Sequence, residues 1–299
     1  MRTLDGPPYQ GPPSMRSLKS GWKAAVAAPF AALVIGFTGA AVLPAESQAQ
    51  QPATSVNAAG DLNAVFNAQP CLTTKALVQL DAPISRVAKR LDAHEPVTIV
   101  AVGSSSTGGA GASSPAFSYP SRLERELRQR FSGSTISVIN LGVNGQEVGD
   151  MIARMDTVLA PKPDLVIWQL GTNTVLRDGD IPATGELLQT GITRIRNSGA
   201  DVLLIDPQFA PRVNAKPAVN DMVQMIGQTA KRTHVPLFRR YGAMRHWHED
   251  QAIAFDRFIV ADGLHMNDWG YACFARLLAE NIAATVGRSR AVADVKPQQ

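Results

Sequence analysis

Residues 96–109 read PVTIVAVGSSSTGG, an apolar run that is followed at once by small and polar residues. The run from Val97 to Val102 is continuous rather than alternating, which is typical of a strand buried on both faces of a parallel sheet. The small residues Gly103-Ser104-Ser105 then end the strand and favour a sharp turn into a helix. This stretch therefore predicts the first β-strand and the first β–α turn of an α/β domain.

The same alternation of strands and helices continues toward the C-terminus. Further strands are predicted at 136–141, 164–170, 201–205 and 236–239, and helices at 84–91, 120–131, 147–159, 182–197, 218–233 and 268–286. Helices that connect parallel strands cover both faces of the sheet. We therefore expect a three-layer α/β/α sandwich with a mostly parallel sheet of about five strands.

Four polar, glycine-containing blocks stand where ligands bind in such a sheet, three of them directly after strands. A serine hydroxyl becomes a nucleophile when a base removes its proton, and that base is usually a histidine oriented by a carboxylate. Backbone N–H groups and a side-chain amide are the usual donors to the oxyanion that then forms. The blocks read Gly103-Ser104-Ser105, Gly142-Val143-Asn144-Gly145, Gly171-Thr172-Asn173 and Asp262-Gly263-Leu264-His265.

In order and spacing these blocks resemble the SGNH (GDSL-type) hydrolase family from about residue 97 to residue 286. The resemblance implies the flavodoxin-like SGNH hydrolase fold. It also implies a reaction that needs no metal or organic cofactor. The family usually has Asp before the nucleophile, where this chain has Ser104, so we expect the hydrogen bonds of that loop to be arranged differently. The roles implied by the resemblance are a catalytic triad of Ser105, His265 and Asp262 and an oxyanion hole of Ser105, Gly145 and Asn173.

The resemblance implies a serine carboxylic-ester hydrolase. No long apolar lid insertion separates the blocks, which favours short acyl esters, and O-acetyl groups of cell-envelope or plant glycans are the expected substrate class. An O-acyltransferase on the same triad stays open, as does a non-catalytic glycan-binding module on a decayed hydrolase fold. The formal net charge is +4, and residues 1–49 supply about half of it with four basic and two acidic residues. The rest is near neutral, which argues against a nucleic-acid partner.

Residues 1–49 have the pattern of an export signal, so we expect a periplasmic or extracellular protein. Met15 is an alternative start of translation. An uncleaved membrane anchor is the alternative to cleavage, and it would be the membrane contact of the chain. A positive stretch, an apolar run and a small-x-small cleavage site follow one another, namely Arg16 to Lys23, Ala24 to Leu43 and Ser47-Gln48-Ala49.

The remaining organisation follows from composition. We expect a linker and N-terminal extension at 50–95, the hydrolase domain at 96–289 and a flexible tail at 290–299. Export into an oxidising compartment predicts a disulfide between Cys71 and Cys273, which would pin the extension to the last helix. Two unpaired thiols are the alternative.

A few histidine, tryptophan and arginine residues outside the four blocks are also candidates for functional or structural roles. His246-Trp247-His248 has no third metal ligand nearby, so we expect a surface or loop role, with Trp247 as a candidate for the substrate rim. Arg212 follows the fourth strand and is a candidate contact for an anionic or sugar substrate, or else a solvated charge. Trp168 lies within a strand and is expected in the core.

Overall fold

The computed structural model describes residues 63–294, and their side chains as far as Arg288. Its five strands form one parallel sheet in the order β2-β1-β3-β4-β5, which confirms the predicted sandwich. The strand order reverses at β1, so a crevice is expected at the carboxyl ends of β2, β1 and β3. The strands are β1 Val97–Gly103, β2 Ile136–Gly142, β3 Leu165–Gln169, β4 Asp201–Ile205 and β5 Leu237–Phe238.

Helices occupy the connections between the strands and both ends of the described chain. Short 3-10 turns lie at Ala64–Phe66, Pro115–Phe117 and Phe255–Arg257. The predicted signal, the Met15 start and the linker to residue 62 lie outside the described residues. The helices are α1 Lys75–Val78, α2 Ser85–Asp92, α3 Ser105–Gly108, α4 Tyr119–Arg130, α5 Val148–Ala153, α6 Met155–Leu159, α7 Thr172–Leu176, α8 Ile181–Asn197, α9 Pro211–Asn214, α10 Val219–Thr233, α11 Arg240–Glu249 and α12 Asp268–Asp294.

Two predicted helix ranges are wrong. The single helix expected at 147–159 is divided at Arg154, whose guanidinium donates to the carbonyl oxygen of Leu141 and to the side chain of Gln146. These side-chain bonds tie Arg154, whose backbone is not helical, to the end of β2. The last helix runs to Asp294 rather than 286, so it includes the start of the predicted tail.

The core lies between the sheet and its two helical layers. All five residues of β3 are buried, and Trp168 is fully buried, as predicted. Its indole N–H points at the sulfur of Met151, 3.1 Å away, in the α5 layer. Burying one large aliphatic side chain contributes about 1.5–3 kcal/mol, so a core of this size is the main source of stability. No helix within residues 63–294 is long and apolar enough to cross a bilayer.

Residues 63–92, which we call the N-terminal strap, are fastened to the domain at both ends. Asp201 at the start of β4 accepts the first backbone N–H groups of α2, from Arg86 and Val87, at 2.9 and 3.1 Å. The predicted disulfide between Cys71 and Cys273 is confirmed and joins the strap to α12.

Trp247 shows that the strap also covers the C-terminal helices. This residue is 1% exposed, and its indole N–H donates to the strap carbonyl of Leu72 at 3.1 Å. The prediction that Trp247 lines a substrate rim is therefore wrong, because the ring lies in the core beneath the strap.

Candidate active site

The predicted nucleophile lies at the start of α3, the single helical turn after β1. Ser105 is half-buried, and the N–H groups of Gly109 and Ala110 both donate to its carbonyl oxygen at 2.9 Å. Gly103 permits this tight turn, because a Cβ there would lie 2.2 Å from Oγ1 of Thr107. The local sequence thus holds the Ser105 hydroxyl at the carboxyl edge of the sheet.

Ser104, at the position of the usual SGNH aspartate, is buried and bonded to the neighbouring strand. Its backbone N–H and its hydroxyl both donate to Oε1 of Gln169 at 3.2 Å, and the hydroxyl of Thr107 donates to the same oxygen at 3.3 Å. A neutral amide at the end of β3 therefore organises residues 103–108, which we call the nucleophile turn. Sequence reasoning missed Gln169, although a polar residue that closes an apolar strand was a usable signal.

The Asp262-Gly263-Leu264-His265 block forms a tight turn, residues 260–265, which we call the histidine turn. The N–H of Val260 donates to the carbonyl oxygen of His265 at 2.9 Å and closes it. Oδ1 of Asp262 accepts the N–H groups of Leu264 and His265 at 2.8 and 2.9 Å, while Oδ2 lies 2.5 Å from Nδ1 of His265. One local turn presents both side chains, as the three-residue spacing predicts.

The histidine turn meets the nucleophile turn through a hydrogen bond. Nε2 of His265 lies 2.8 Å from Oγ of Ser105. An imidazole with its proton on Nδ1 can donate to Asp262 and accept from Ser105. Partial burial raises the pKa of Asp262, but hydrogen bonds from the His265 side chain and from two backbone N–H groups outweigh it, so this pKa lies below its usual range. The carboxylate therefore stays ionised at neutral pH and can accept a hydrogen bond from Nδ1 of His265.

The three predicted oxyanion donors belong to the ends of neighbouring strands. Within residues 63–294, the backbone N–H groups of Ser105 and Gly145 meet no acceptor. Asn173 uses one amide N–H to donate to the carbonyl oxygen of Gln146 at 2.9 Å. Since an amide nitrogen carries two hydrogens, its second N–H is left for a ligand. Unpaired N–H donors of this kind are what a tetrahedral oxyanion requires.

Gln208, on the loop after β4, joins the two halves of the site and was not predicted. Its Oε1 accepts from the Thr172 hydroxyl and from the Arg240 guanidinium, both at 2.9 Å, and its Nε2 donates to the carbonyl oxygen of Leu264 at 3.4 Å. Thr172 and Leu264 directly precede the predicted oxyanion residue and the predicted base. The buried Gln208 side chain thus bonds the hydroxyl of the residue before Asn173 and the backbone of the residue before His265.

Arg240 and Asp206 are two buried ionisable residues behind Gln208, and each is 1% exposed. Nε of Arg240 donates to the carbonyl oxygen of Asp206 at 3.1 Å, and the Asp206 carboxylate accepts the N–H of Tyr241 at 2.9 Å. Burial raises the pKa of Asp206 to about 7 and lowers that of Arg240 to about 10. Arg240 also donates to Gln208, so the two buried residues support that side chain from the end of β4 and the start of α11.

The other residues singled out from the sequence lie outside the triad. His246 contacts Asp250 at 2.6 Å, and the His248 ring stacks on Phe255 with centroids 3.9 Å apart. Within the described chain, no cluster of three or more His, Cys, Asp or Glu is arranged to bind a metal ion. Arg212 is exposed, and its backbone N–H donates to the carbonyl oxygen of Gly263 at 3.0 Å, so it lies beside the histidine turn.

Comparison with known families agrees with this geometry. Residues 70–288 match the model of the non-GDSL lipase-like family. The chain belongs to this family. The description fits the Gly103-Ser104-Ser105 block, in which the usual aspartate of the GDSL motif is absent.

Relatives of this non-GDSL lipase-like protein are esterases. It is 27% identical to an arylesterase of Vibrio mimicus over 167 residues, which cover 55% of this chain and 78% of the relative. The solved lipase/acylhydrolase from Enterococcus faecalis is 26% identical, with a TM-score of 0.52 over 68% of this chain and 99% of that one. These similarities confirm the SGNH-type resemblance and place the chain among carboxylic-ester hydrolases.

A third similarity concerns the fold alone. A two-domain esterase active on acetylated mannans is 21% identical, with a TM-score of 0.58 over 74% of this chain. The match covers 58% of that protein, so this chain spans less than two thirds of its length.

Proposed function

We propose that this protein is an exported serine esterase that removes short acyl groups from glycans, with Ser105 as nucleophile, His265 as general base and Asp262 as its orienting carboxylate. The observation that supports the proposal is the continuous hydrogen-bonded series from Asp262 through His265 to Ser105, at 2.5 and 2.8 Å. A nucleophile within hydrogen-bonding distance of its base, with the base oriented by a third group, is the arrangement of covalent acyl transfer.

The first half of the reaction forms an acyl-enzyme. Oγ of Ser105 attacks the ester carbonyl carbon while Nε2 of His265 takes its proton. The carbonyl oxygen becomes an oxyanion that accepts hydrogen bonds from the N–H groups of Ser105 and Gly145 and from the amide of Asn173. The tetrahedral intermediate then collapses, the C–O bond to the alcohol breaks, and His265 returns the proton to the leaving alcohol.

The second half releases the acid. Water takes the position of the departed alcohol, loses a proton to Nε2 of His265 and attacks the acyl carbon. Collapse of the second intermediate breaks the bond to Ser105, whose oxygen regains the proton from His265. No step requires a metal or an organic cofactor, and the protonated imidazole is stabilised by the Asp262 carboxylate in each half.

Two features support a short acyl group on a glycan. The described chain follows compact strand–helix units between the four blocks, with no long apolar insertion that would cover an extended acyl chain. The family relatives are esterases, and one structural neighbour is active on acetylated mannans. An O-acetyl group on a polysaccharide is the substrate class that we carry over from these similarities.

Export is supported by the signal-like segment and by the Cys71–Cys273 disulfide, since such bonds persist in oxidising compartments. We expect the mature chain to begin near Gln50 and to lie outside the cytoplasm. N-terminal sequencing of protein recovered from cell fractions checks this. An intact N-terminus in the membrane fraction would instead establish the anchor.

The test of the activity is a panel of aryl esters from acetate to palmitate, run beside acetate release from O-acetylated peptidoglycan and xylan. We expect the highest kcat/KM for acetate and release of acetate from at least one polymer. Product analysis with a sugar acceptor present separates hydrolysis from acyl transfer, since only a transferase yields an acylated acceptor. No hydrolysis of any ester by the correctly folded protein would refute the proposal.

A further inference from the structure

A cleft of about 440 Å³ lies beside His265 and is not part of the triad or the oxyanion hole. Its walls are the loop that carries Gly111 and Ser113, the 3-10 turn Phe255–Arg257, and the start of α12 from Asn267 to Trp269. Small-molecule sites in proteins have volumes of about 300–1,000 Å³, so this cleft is large enough for a ligand.

One wall of the cleft packs against the catalytic base. A Cβ added at Gly111 would lie 2.9 Å from Cβ of His265 and 2.4 Å from the carbonyl oxygen of Met266, so this wall lies directly against the backbone of the base. Asn267, on another wall, stands two residues after His265. The cleft therefore adjoins the turn that carries His265, on the side of Gly111 and Asn267.

Two charged side chains in the cleft are free to bind a ligand. Asp256 and Arg257 are both exposed, and neither forms an ion pair with any residue in the described chain. A carboxylate is an acceptor and a guanidinium is a donor. Sugar hydroxyl groups both donate and accept, so this pair matches them better than it matches a ligand with one kind of polar group.

The rest of the lining narrows the class of ligand. Asp268 is already bonded by the N–H and the hydroxyl of Ser113, at 2.9 and 2.5 Å, and it adds a second negative charge. Two carboxylates against one guanidinium disfavour an anionic ligand. The charged walls also disfavour a long acyl chain, because an acyl chain needs an apolar pocket. Trp269, packed edge-on against Phe66, gives one rigid and partly apolar wall.

We propose that this cleft binds a neutral sugar residue adjacent to the one that carries the ester, and that Asp256 and Arg257 hydrogen-bond its hydroxyl groups. The inference rests on the proposed esterase function and deepens it, since it makes an oligosaccharide rather than a single acetylated sugar the preferred substrate. Binding energy from that neighbouring unit would then help to place the ester at Ser105.

Kinetics on two substrates test the inference. The ratio of kcat/KM for an acetylated xylo- or manno-oligosaccharide to kcat/KM for an aryl acetate is measured in the wild type, Asp256→Ala, Arg257→Ala and Arg257→Lys. We expect each alanine variant to lower this ratio about tenfold, the scale of one hydrogen bond to a charged group, and Arg257→Lys to lower it less. Arg245→Ala, on the exposed face of α11, is the matched control and should leave the ratio unchanged.

A binding measurement separates this inference from the proposed function. Ser105→Ala, alone and combined with Arg257→Ala, is titrated with the same oligosaccharides of one to five units, with tryptophan fluorescence and calorimetry as readouts. We expect affinity to rise from one unit to two and the second substitution to cancel that gain. Equal affinity for one and five sugar units would refute the sugar-binding role of the cleft, and so would an unchanged substrate ratio in both alanine variants. In either case, hydrolysis of the aryl acetate would still support the esterase function. Absence of all ester hydrolysis refutes the esterase, and the titration still decides the cleft.

Discussion

The nucleophile turn and the histidine turn meet at one hydrogen bond but are stabilised in different ways. Ser104 and Thr107 beside the nucleophile are buried, and both bond Gln169 at the end of the neighbouring strand. Asp262, by contrast, is exposed, and its carboxylate mainly bonds its own turn. The nucleophile is thus positioned by the packed sheet, whereas the base is positioned by a short local loop.

Because of this difference, we expect substitutions in the two turns to affect stability and activity differently. A change in the buried environment of the nucleophile removes contacts that the whole fold uses, so we expect it to lower stability. A change in the histidine turn removes bonds that serve chiefly the imidazole, so we expect activity to fall while the fold survives. Five substitutions test this contrast.

The largest effect is expected for Ser105→Ala, which removes the nucleophile without touching a buried partner. The loss of kcat on an aryl acetate should be on the order of 10⁴–10⁶, with a melting temperature close to that of the wild type. Ser104→Ala is the contrasting control in the same turn, since it loses a bond to Gln169 and should lower the melting temperature while keeping activity. If Ser105→Ala stays active and Ser104→Ala or Ser106→Ala does not, the nucleophile has been placed in the wrong register.

Asp262→Asn tests the histidine turn itself. The amide oxygen can still accept the two backbone N–H groups of the turn, so the loop should keep its shape. The charge that orients and stabilises the imidazole is lost, and such a loss lowers kcat by about 10⁴ in other serine hydrolases. Measuring kcat and thermal unfolding on the same preparation checks this. A large drop in melting temperature would show that the turn, and not only the imidazole, depends on the carboxylate.

Asn173→Ala removes an amide that we expect to contribute both to activity and to stability. Its free N–H should stabilise the oxyanion, so kcat should fall by about 10²–10³ with little change in KM. Its other N–H holds the carbonyl oxygen of Gln146, so a modest loss of stability is expected as well. An unchanged kcat per folded molecule, together with a lower melting temperature, would make Asn173 a purely structural residue.

Gln208→Met tests whether the two turns are positioned through one side chain. The substitution leaves the Thr172 hydroxyl and the Arg240 guanidinium without their acceptor, and each lost partner costs about 1–3 kcal/mol. We expect about a tenfold lower kcat at similar KM, with partial rescue by Gln208→Glu, which keeps the acceptor. Thr184→Val, a buried polar substitution in α8, should lower stability alone. Equal kcat in Gln208→Met and Thr184→Val would remove the positioning role.

The smallest effect is expected for Asp206→Asn, and it appears only as a dependence on pH. Its pKa is raised to about 7 in the fold, against about 4 in an unfolded chain, so the folded state keeps a proton that the unfolded state releases. The stability from this proton is complete below pH 4 and is lost as the pH rises through 7. Asn has no titratable proton, so the variant should not lose this stability. The unfolding free energy of the variant minus that of the wild type should therefore increase from pH 5 to pH 8. Denaturant titrations at both pH values check the sign, and a constant difference would contradict it.

The sequence predicts the parts of this molecule that depend on local pattern. Apolar runs and turn residues gave the five strands, and the four blocks brought Ser105, His265 and Asp262 within hydrogen-bonding distance. The residues that were missed have partners far along the chain, since Gln169 contacts Ser104 across 65 positions and Gln208 contacts Leu264 across 56. Local periodicity carries no information about such contacts.

The error at Trp247 has the same cause. The flanking histidines suggested a surface role for Trp247. Its ring is instead covered by the strap, in which Leu72 bonds it from 175 positions earlier. Burial that comes from a distant segment is decided by the completed fold. The helix also divides at Arg154, whose side chain bonds the end of β2 13 positions earlier, a contact that the sequence pattern does not indicate.

The disulfide sets an order of events during synthesis. Cys71 leaves the ribosome early, and its partner follows only after 202 further residues, which include all five strands. No earlier cysteine in the described chain can pair with Cys71, so its thiol stays reduced until nearly the whole protein has been made. In the folded chain the bond joins the strap to α12, which packs on α2 and α4. The bond therefore closes a loop that contains the whole sheet, and it joins the strap to the helix that is synthesised last in the described chain.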